Sequence, residues 1–545
     1  MSNPSQKKNS FFGGAAILTV GIVIVKLIGA LFKIPLGNII SEAAFSDFNT
    51  AYYIYSLLII VSTGGLPVAL SKMVSEANAL GRGNQIQKIF RVSLVAFCTL
   101  GVISMLIMLI FPRQLADLMN NSHSYYCILA LAPAMFFICP LSAMRGYFQG
   151  HSQMTPTAVS QIIEALCKLV IGLALAAYMV SAGAEESKTA AGAIVGVSIG
   201  CAVAAVYMVF CYRKHRVTLP RYEDRPESGR QILKTLLMLA IPITLGSSVM
   251  SLANLLDTSI IFGRLQSGAG FTENEARVLK GIYDKALTLY NLPTAFMIPI
   301  TASVIPSVSA ARAVKDYKQG ARISETALRT TALLIFPAGV GLSVLSRPII
   351  QLLYPTTNVE LAGDMLSVLA IATIFVCIML VCNSILQAHR MVSIPMITTI
   401  IGCVMKIIVI YVLAGNPHIN IKGGPVSTIA CFGVIALLDL IIIKMALPRS
   451  LSYIRAFLKP GISAAIMGFA VWAVYGLVEK VLLNTGALSA GTGLSGTGNA
   501  FATLVAIAVG VVIYFALILL TRAISRDDLA LMPKGDKIAR LLRIK

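Results

Sequence analysis

Fourteen apolar runs, each long enough to cross a lipid bilayer as an α-helix, are distributed along the 545 residues of this chain. A span needs roughly 20 residues, because the hydrocarbon core is about 30 Å thick and a helix rises about 1.5 Å per residue. With 57% hydrophobic and only 12% charged residues, the chain has more apolar surface than a fold in water could bury. We therefore predict an all-α integral membrane protein with fourteen transmembrane helices, of which the second covers roughly residues 48–70 and the eighth roughly residues 283–308.

Positively charged side chains predict the orientation of these spans. Loops rich in Lys and Arg stay in the cytoplasm, and most of the 44 Lys and Arg residues fall on one side of the membrane when the N-terminus is placed inside. We therefore predict that both termini are cytoplasmic. The net charge of +21 then lies mainly along the cytoplasmic rim, which favours contact with anionic lipid headgroups over binding of nucleic acid.

The first apolar run is predicted to remain in the protein as a membrane helix. The cysteines are predicted to be packing residues. The run carries two lysines and has no small-residue cleavage site, so a removable signal peptide is not expected. The ten cysteines are scattered along the apolar runs, with no C-x-x-C pair and no His or Asp cluster at metal-ligand spacing. No metal site is predicted.

An internal repeat relates the first half of the chain to the second. Residues 149–168 recur as residues 387–406, and both copies begin with glutamine, end with lysine and carry a histidine at the third position, His151 and His389. Each half contains six predicted spans, so the two copies form parallel repeats that enclose a central cavity. The predicted segments are an N-terminal six-helix lobe (1–212), a basic cytoplasmic linker (213–234), a C-terminal six-helix lobe (235–447), and two further helices with a basic cytoplasmic tail (448–545).

Two lysines within the first span are the strongest candidates for contact with a ligand. A charge at the centre of a membrane helix costs about 2.5–3.5 kcal/mol on insertion scales, so such residues seldom face lipid. Lys26 and Lys33 are seven residues apart, nearly two turns, which places both on one face with about 10.5 Å between them along the axis. Two cations at this spacing can hold an elongated anion. The alternative for Lys33 is that its ammonium reaches outward to the membrane surface.

An acidic and a basic residue stand at the predicted start of the eighth span. Asp284 and Lys285 are adjacent and point about 100° apart around the helix, so they are not expected to pair along one face. We predict that Asp284 caps the start of the helix. For Lys285 we favour contact with an anionic ligand over exposure at the surface.

Four other intramembrane charges are predicted to be structural or to support ion coupling. Glu164 and Lys168 are four residues apart, so we predict that they neutralise each other on one helix face. Lys406 has no acid at the matching position and needs another counter-charge, for which Asp439 is a candidate.

Polar side chains line one face of the predicted seventh span. Ser247, Ser251, Asn254 and Thr258 are separated by four, three and four residues, and Asp257 flanks them. Oxygen-rich faces of this kind can bind Na⁺ or relay protons. Small polar residues also let helices pack closely, and this alternative stays open.

Several features together resemble the multidrug/oligosaccharidyl-lipid/polysaccharide (MOP) exporter superfamily, and within it the MurJ-like and stage V sporulation protein B-like branch. The resemblance covers nearly the whole chain. The features are the arrangement of six, six and two spans, the stretch Lys26-x-x-Gly29-x-x-x-Lys33, Asp47 opening the second span, and Tyr283-Asp284-Lys285 opening the eighth.

This resemblance implies a flippase for lipid-linked cell-wall or polysaccharide precursors. It implies that basic residues of the first and eighth helices, here Lys26, Lys33 and Lys285, contact the pyrophosphate of the substrate. It further implies that the last two helices form a groove for the polyprenyl tail. MurJ proteins of the Gram-negative type carry arginines at such sites and a further basic residue in the second helix, where residues 57–60 of this chain are uncharged. The chain is more similar to the sporulation protein B-like branch.

We therefore expect a transporter, not an enzyme, that moves a polyprenyl-pyrophosphate-linked saccharide such as lipid II across a bacterial plasma membrane by alternating access. Fixed cations in a polar cavity lower the cost of taking a charged head out of water. We expect a monomer with no cofactor other than a coupling ion, Na⁺ or H⁺. The residues expected to support the site or the coupling ion are Asp47, Asn254, Asp257, Asp284, Lys406 and Asp439.

Two other classes of function are alternatives. A cation-coupled multidrug exporter of the same superfamily would need an acidic cavity for cationic drugs, and the lysines of the first span argue against one. A membrane enzyme such as a polyprenyl-phosphate sugar transferase would need a catalytic motif, and the chain has no D-x-D pair and no H-E-x-x-H motif.

Overall fold

Regular structure consists of helices in the computed structural model, which describes residues 4–217, 224–446, 452–484 and 496–521. The α-helices are α1 (Pro4–Ile39), α2 (Glu42–Thr63), α3 (Leu66–Ala79), α4 (Gly83–Ile110), α5 (Pro112–Leu118), α6 (Tyr125–Gly150), α7 (Thr155–Ser181), α8 (Glu186–Val217), α9 (Gly229–Ser267), α10 (Glu273–Tyr290), α11 (Met297–Ala313), α12 (Tyr317–Val344), α13 (Ser346–Leu353), α14 (Val359–Ala388), α15 (Ser393–Ala414), α16 (Gly423–Ala446), α17 (Tyr453–Asn484) and α18 (Gly496–Leu520). Helices satisfy every backbone hydrogen bond within one apolar segment, as hydrocarbon requires. The predicted all-α class is confirmed.

Fourteen candidate membrane spans occur within the described ranges, as predicted. Two of them are interrupted. The second span consists of α2 and α3, and the eighth of α10, a 3₁₀ turn at Pro293–Phe296 and α11. The short helices α5 and α13 lie between successive spans.

The break in the second span depends on glycine. Gly65 donates its backbone N–H to the Thr244 hydroxyl of α9 at 3.0 Å, and a Cβ at this position would overlap the carbonyl of Ala240. A residue without a side chain therefore lets α9 lie directly against the interrupted helix.

Both interrupted spans begin earlier than predicted. α2 begins at Glu42, and α10 begins at Glu273, ahead of the predicted start of the eighth span at about residue 283. The start of α10 is a capping box, because the Thr272 hydroxyl accepts from the Glu275 N–H while the Glu275 carboxylate accepts from the Thr272 N–H. Asp284 thus lies in the interior of α10, and the prediction that it caps the helix is wrong.

The chain divides into two compact units, Met1–Gly281 and Ile282–Lys545. In the first unit α6 packs against α2, α3, α4 and α8, and α8 packs against α7, around one hydrophobic core. α9 packs against α2, α3 and α4 within the same unit.

The second unit is organised around α14. This helix packs against α11, α12, α13 and α16. α17 packs against α12 and α18, and α18 packs against α13, which creates a separate small hydrophobic cluster. Parts of the predicted linker (218–223) and of the predicted tail (522–545) lie outside the described residues.

The repeated sequence segment has the same local geometry in both units. His151 is the C-cap of α6 and is followed by Ser152 with φ of 59°, while His389 is the C-cap of α14 and is followed by Arg390 with φ of 62°. The left-handed residue ends the helix in both cases. The duplication of whole six-helix lobes stays a prediction.

Candidate functional site

The two lysines of α1 have different surroundings. Lys26 is exposed, and a Cβ at Gly29, one turn further on, would meet no atom within 4 Å, so this part of α1 borders open space. Lys33 is half-buried, and its ammonium donates a hydrogen bond of 2.9 Å to the side-chain carbonyl of Asn49 on α2. Lys33 is thus held against the second helix, which argues against the alternative that it reaches outward.

Aromatic rings continue the face of α2 that Lys33 contacts. The rings of Phe48 and Tyr52 are stacked, with centroids 5.8 Å apart and planes inclined by 12°. The ring of Phe32 on α1 lies 5.8 Å from that of Phe48. Because Asn49 and Tyr52 are about one turn apart, the polar contact of Lys33 and the group of three rings, Phe32, Phe48 and Tyr52, occupy neighbouring positions.

Lys168 lies against this aromatic group and does not pair with Glu164 as predicted. Its ammonium is 4.8 Å from the ring centroid of Phe32 and 4.6 Å from that of Tyr52, distances typical of cation–π contacts. Glu164 instead forms an ion pair of 2.9 Å with Arg145 of α6. The predicted pair is wrong because a guanidinium on the neighbouring helix takes the carboxylate, and spacing along one helix does not show such a partner.

A buried ion pair joins α2 to the start of α10 within the first unit. The Arg277 guanidinium donates two hydrogen bonds to the Asp47 carboxylate, from Nε at 3.0 Å and from Nη2 at 2.6 Å. Asn121 and Ser187 donate further hydrogen bonds to the same carboxylate. The two charged side chains are 3% and 0% exposed. Four donated hydrogen bonds offset the cost of burying the carboxylate, so Asp47 is part of a structural network.

Arg277 and Lys280 are not among the residues predicted from the sequence, because both precede the predicted start of the eighth span. Lys280 is 1% exposed, and its ammonium lies 5.5 Å from the ring centroid of Tyr53. A Cβ at Gly281 would overlap the carbonyl of Glu42, so α10 lies directly against the start of α2. The capping box at the start of α10 is the sequence signal that would have placed both residues on the helix.

In the second unit, Asp284 and Lys285 are both buried. The Lys285 ammonium lies 5.5 Å from the ring centroid of Tyr354, and the Thr288 hydroxyl donates to the Asp284 backbone carbonyl. Lys285 is therefore not at the surface in this conformation. Its predicted contact with an anionic ligand stays a prediction.

Asp439, the candidate counter-charge of Lys406, forms no hydrogen bond with it, and its role as a counter-charge stays a prediction. Both carboxylate oxygens of Asp439 are buried and have no hydrogen-bond partner within the described part of the chain. Lys406 is 8% exposed on α15. A role of either residue in ion coupling stays a prediction.

The polar stripe of α9 bonds largely within its own helix. The Thr258 hydroxyl donates to the Asn254 backbone carbonyl, and the Ser247 hydroxyl donates to the Thr244 carbonyl. Asp257 is buried. Over the described ranges, no group of three or more His, Cys, Asp and Glu side chains could hold a metal ion. These contacts favour the packing alternative for the stripe, and the coupling roles of Asn254 and Asp257 stay predictions.

The second unit contains an apolar cavity of about 610 Å³. Its walls come from α12, α13, α17 and α18, together with the last turn of α10. The lining consists almost entirely of hydrocarbon side chains, such as Leu334, Val471 and Ile507. Such a cavity can accommodate an apolar chain but offers no partner to a charged group.

Three proteins of Bacillus subtilis (strain 168) are similar to the chain over most of its length. The uncharacterized membrane protein YabM is 25% identical over 98% of this chain and 97% of its own. Stage V sporulation protein B is 23% identical over 96% of this chain and 98% of its own. Lipid II flippase MurJ is 24% identical over 72% of this chain and 76% of its own.

The fold is also found in solved structures of transporters. Lipid II flippase MurJ in an inward closed conformation aligns with a TM-score of 0.70 and 16% identity, over 93% of this chain and 98% of that chain. A multidrug resistance MATE family transporter of the MOP superfamily, in an inward-facing conformation, aligns with a TM-score of 0.64 and 16% identity, over 79% of this chain and 98% of that chain. At this identity the likeness shows the fold alone.

Two family models match the sequence itself. The MatE model matches residues 282–412. The model of the polysaccharide biosynthesis protein family matches residues 11–312, which is more than half of the chain. Together with the fourteen spans and the transporter fold, this match shows that the chain belongs to the polysaccharide biosynthesis protein family and is a multi-pass membrane transporter of the MOP superfamily, not an enzyme.

Proposed function

We propose that this transporter is a flippase that moves a polyprenyl-pyrophosphate-linked saccharide, lipid II or a related cell-wall or polysaccharide precursor, from the inner to the outer leaflet of a bacterial plasma membrane. Its termini are cytoplasmic and it acts as a monomer by alternating access. The observation that carries the proposal is the set of cations in the first unit, with Lys26 beside open space and Lys33 held on α2. Cations at these positions attract a phosphate-bearing head and repel a cationic drug.

The chemistry of the head group explains why transport needs such a protein. A pyrophosphate carries several negative charges, and an isolated charge in hydrocarbon costs tens of kcal/mol by Born estimates. Lysine ammonium groups replace part of the lost hydration as point charges. A membrane potential that is positive outside then favours release outward by about 2.3 kcal/mol per charge per 100 mV.

The apolar cavity of the second unit supports the lipid part of the proposal. Its volume of about 610 Å³ and its hydrocarbon lining suit a segment of polyprenyl chain. This hydrocarbon surface offers few hydrogen-bond partners to a soluble saccharide or a small ion. Taken by itself, the cavity therefore fits the apolar part of a lipid-linked substrate.

The relatives support the same class of cargo. The chain is 24% identical to a protein named lipid II flippase and 23% identical to stage V sporulation protein B, the latter over nearly its whole length. A second candidate function, export of cationic drugs, is favoured by the match of the MatE model to residues 282–412. The lysines of α1 weigh against that candidate.

A transport assay in proteoliposomes separates the two functions. Purified protein is reconstituted with a fluorescent lipid-linked saccharide, and the fraction that an impermeant quencher reaches is followed over time. We expect the protein to accelerate exchange between leaflets relative to empty liposomes, and we expect no transport of ethidium. Ethidium transport without movement of the lipid would overturn the proposal in favour of drug export.

A further inference from the structure

Lys168 stands at the midpoint of a membrane-spanning helix. α7 runs from Thr155 to Ser181, which leaves thirteen residues on either side of Lys168. This corresponds to about 20 Å of helix in both directions, more than a lysine side chain can bridge to reach the membrane surface. A charge at this depth is normally paired or placed in a water-filled cavity.

The acidic residue nearest to Lys168 along α7 is already engaged. Arg145 donates from Nη2 to the Glu164 carboxylate at 2.9 Å and from Nε to the Ser160 hydroxyl at 2.9 Å. A guanidinium that is held at two points competes well for a carboxylate. Within the part of the chain that the structure describes, Lys168 forms no ion pair.

The Lys168 ammonium is held by rings instead. Phe32 is buried, Tyr52 is half-buried, and both rings lie within 5 Å of the ammonium nitrogen. Gly172, one turn beyond Lys168, makes room for the Phe32 ring, because a Cβ there would lie only 3.0 Å from a carbon of that ring. Cation–π contacts orient an ammonium but provide no counter-charge for it.

Lys33 and Lys168 reach the same part of α2. Lys33 follows Phe32 directly in the chain, and its partner Asn49 is about one turn from Tyr52, the ring that Lys168 contacts. Lysines of α1 and α7 thus approach one stretch of a third helix, on the same side of the bundle as the aromatic group. Both residues are half-buried.

We propose that Lys168 is an anion-binding residue that, together with Lys33, receives a phosphate group of the transported lipid. The rings of Phe32 and Tyr52 hold the ammonium in position, and the phosphate supplies a direct ionic partner, which Glu164, bonded to Arg145, does not. This inference rests on the proposed function, because it identifies a further residue of the same substrate site. The chemical class of the ligand is a phosphate or pyrophosphate ester, and its source, a lipid or a free anion, is distinguished below.

Direct binding tests the proposal without depending on transport. Purified protein in lipid nanodiscs is titrated with polyprenyl pyrophosphate, and separately with inorganic pyrophosphate, at two salt concentrations. For Lys168→Gln we expect about tenfold weaker binding of the lipid, equivalent to about 1.4 kcal/mol, and a smaller dependence on salt. Lys168→Arg should retain most of the affinity, because it keeps the charge and the ring contacts.

A matched lysine controls for general electrostatic effects. Lys188 also lies over a ring, that of Tyr126 at 5.5 Å, but it is exposed and pairs with Glu185. Lys188→Gln should leave lipid binding unchanged. Tyr52→Leu provides a second test if Lys168→Gln does not fold, since it removes one ring, keeps the charge and should weaken binding about threefold.

The outcomes separate the inference from the proposed function. If the wild type binds the lipid and Lys168→Gln binds it equally well with an unchanged melting temperature, the role of Lys168 is overturned while the flippase function stands. Weaker binding of both the lipid and inorganic pyrophosphate by Lys168→Gln supports a general phosphate site, and weaker binding of the lipid alone supports a lipid headgroup site. If the wild type binds neither compound, both proposals fail.

Discussion

Arg277 holds the carboxylate of Asp47 with two hydrogen bonds, although the two residues are 230 positions apart and both side chains are almost completely buried. This pair attaches the first turns of α10 to α2 within the first unit. Removing Arg277 leaves the buried Asp47 carboxylate without a cation and with only the neutral donors Asn121 and Ser187, which is far more destabilising than the pair is stabilising.

Arg277→Gln is therefore expected to lower the free energy of unfolding by about 3–5 kcal/mol. Thermal unfolding of the purified protein in detergent measures the effect. The double variant Asp47→Asn/Arg277→Gln should recover part of the loss, because no unpaired charge is left. An exposed lysine provides the control: Lys72 and Glu76 are 3.9 Å apart at the surface, and Lys72→Gln should change stability by less than about 1 kcal/mol. Equal melting temperatures for Arg277→Gln and Lys72→Gln would contradict the buried pair.

The pairing of Glu164 predicts a specific pattern in double-mutant cycles. Arg145 and Glu164 should show a coupling energy of about 1 kcal/mol or more, and Glu164 and Lys168 should show a clearly smaller value. The reason is that the guanidinium contacts the carboxylate directly and the ammonium does not. Unfolding of Arg145→Gln, Glu164→Gln, Lys168→Gln and the two double variants supplies the energies. A larger coupling energy for Glu164 and Lys168 than for Arg145 and Glu164 would contradict this pairing and support the ion pair that the i, i+4 spacing predicts.

Gly281 is expected to tolerate no side chain. A methyl group there overlaps the Glu42 carbonyl, so Gly281→Ala should destabilise the protein by about 1–3 kcal/mol. Gly246 on α9 is the matched control, because a Cβ there meets nothing within 4 Å. Gly246→Ala should be neutral or stabilising, since alanine favours a helix interior by about 0.5–1 kcal/mol over glycine. If both variants lower the melting temperature equally, Gly281 of α10 does not lie in direct contact with the Glu42 carbonyl of α2.

The histidines that end α6 and α14 predict a loss of stability at low pH. Burial lowers the pKa of His151, and burial followed by the charge of Arg312 lowers the pKa of His389. The folded protein therefore favours the neutral imidazole, whereas the unfolded chain takes up a proton near pH 6.5. Stability should be fully present above that pH, decrease as the pH falls from about 6.5 towards the lower folded-state pKa values, and level off below them.

Melting temperatures between pH 8 and pH 5 test this dependence. The double variant His151→Gln/His389→Gln should have a flatter profile than the wild type, because glutamine does not titrate. A wild type and a double variant with the same pH profile would show that these histidines do not contribute.

Hydropathy predicts the number of spans and the helical class well, because insertion into hydrocarbon is decided by averages over some twenty residues. It does not predict where a span begins when the first turns of the helix carry charges. Arg277 and Lys280 lower the local hydropathy, so hydropathy predicts a start of the eighth span that is too late, although Thr272 and Glu275 mark the true start. A single sequence also does not show which side chains of other helices lie near a given residue. The ion pair between Arg145 of α6 and Glu164 of α7 could therefore not be predicted.

A flipping assay with charge variants tests most directly whether the lysines of α1 carry transport. The rate at which a fluorescent lipid-linked saccharide crosses the bilayer of proteoliposomes is compared for the wild type, Lys26→Gln/Lys33→Gln and Lys26→Arg/Lys33→Arg, at equal reconstituted amounts and with melting temperatures recorded. We expect the glutamine variant to lose at least about tenfold in rate and the arginine variant to retain most of it, because the cations stabilise the phosphate within the membrane. A folded glutamine variant that transports the lipid at the wild-type rate would contradict the central claim.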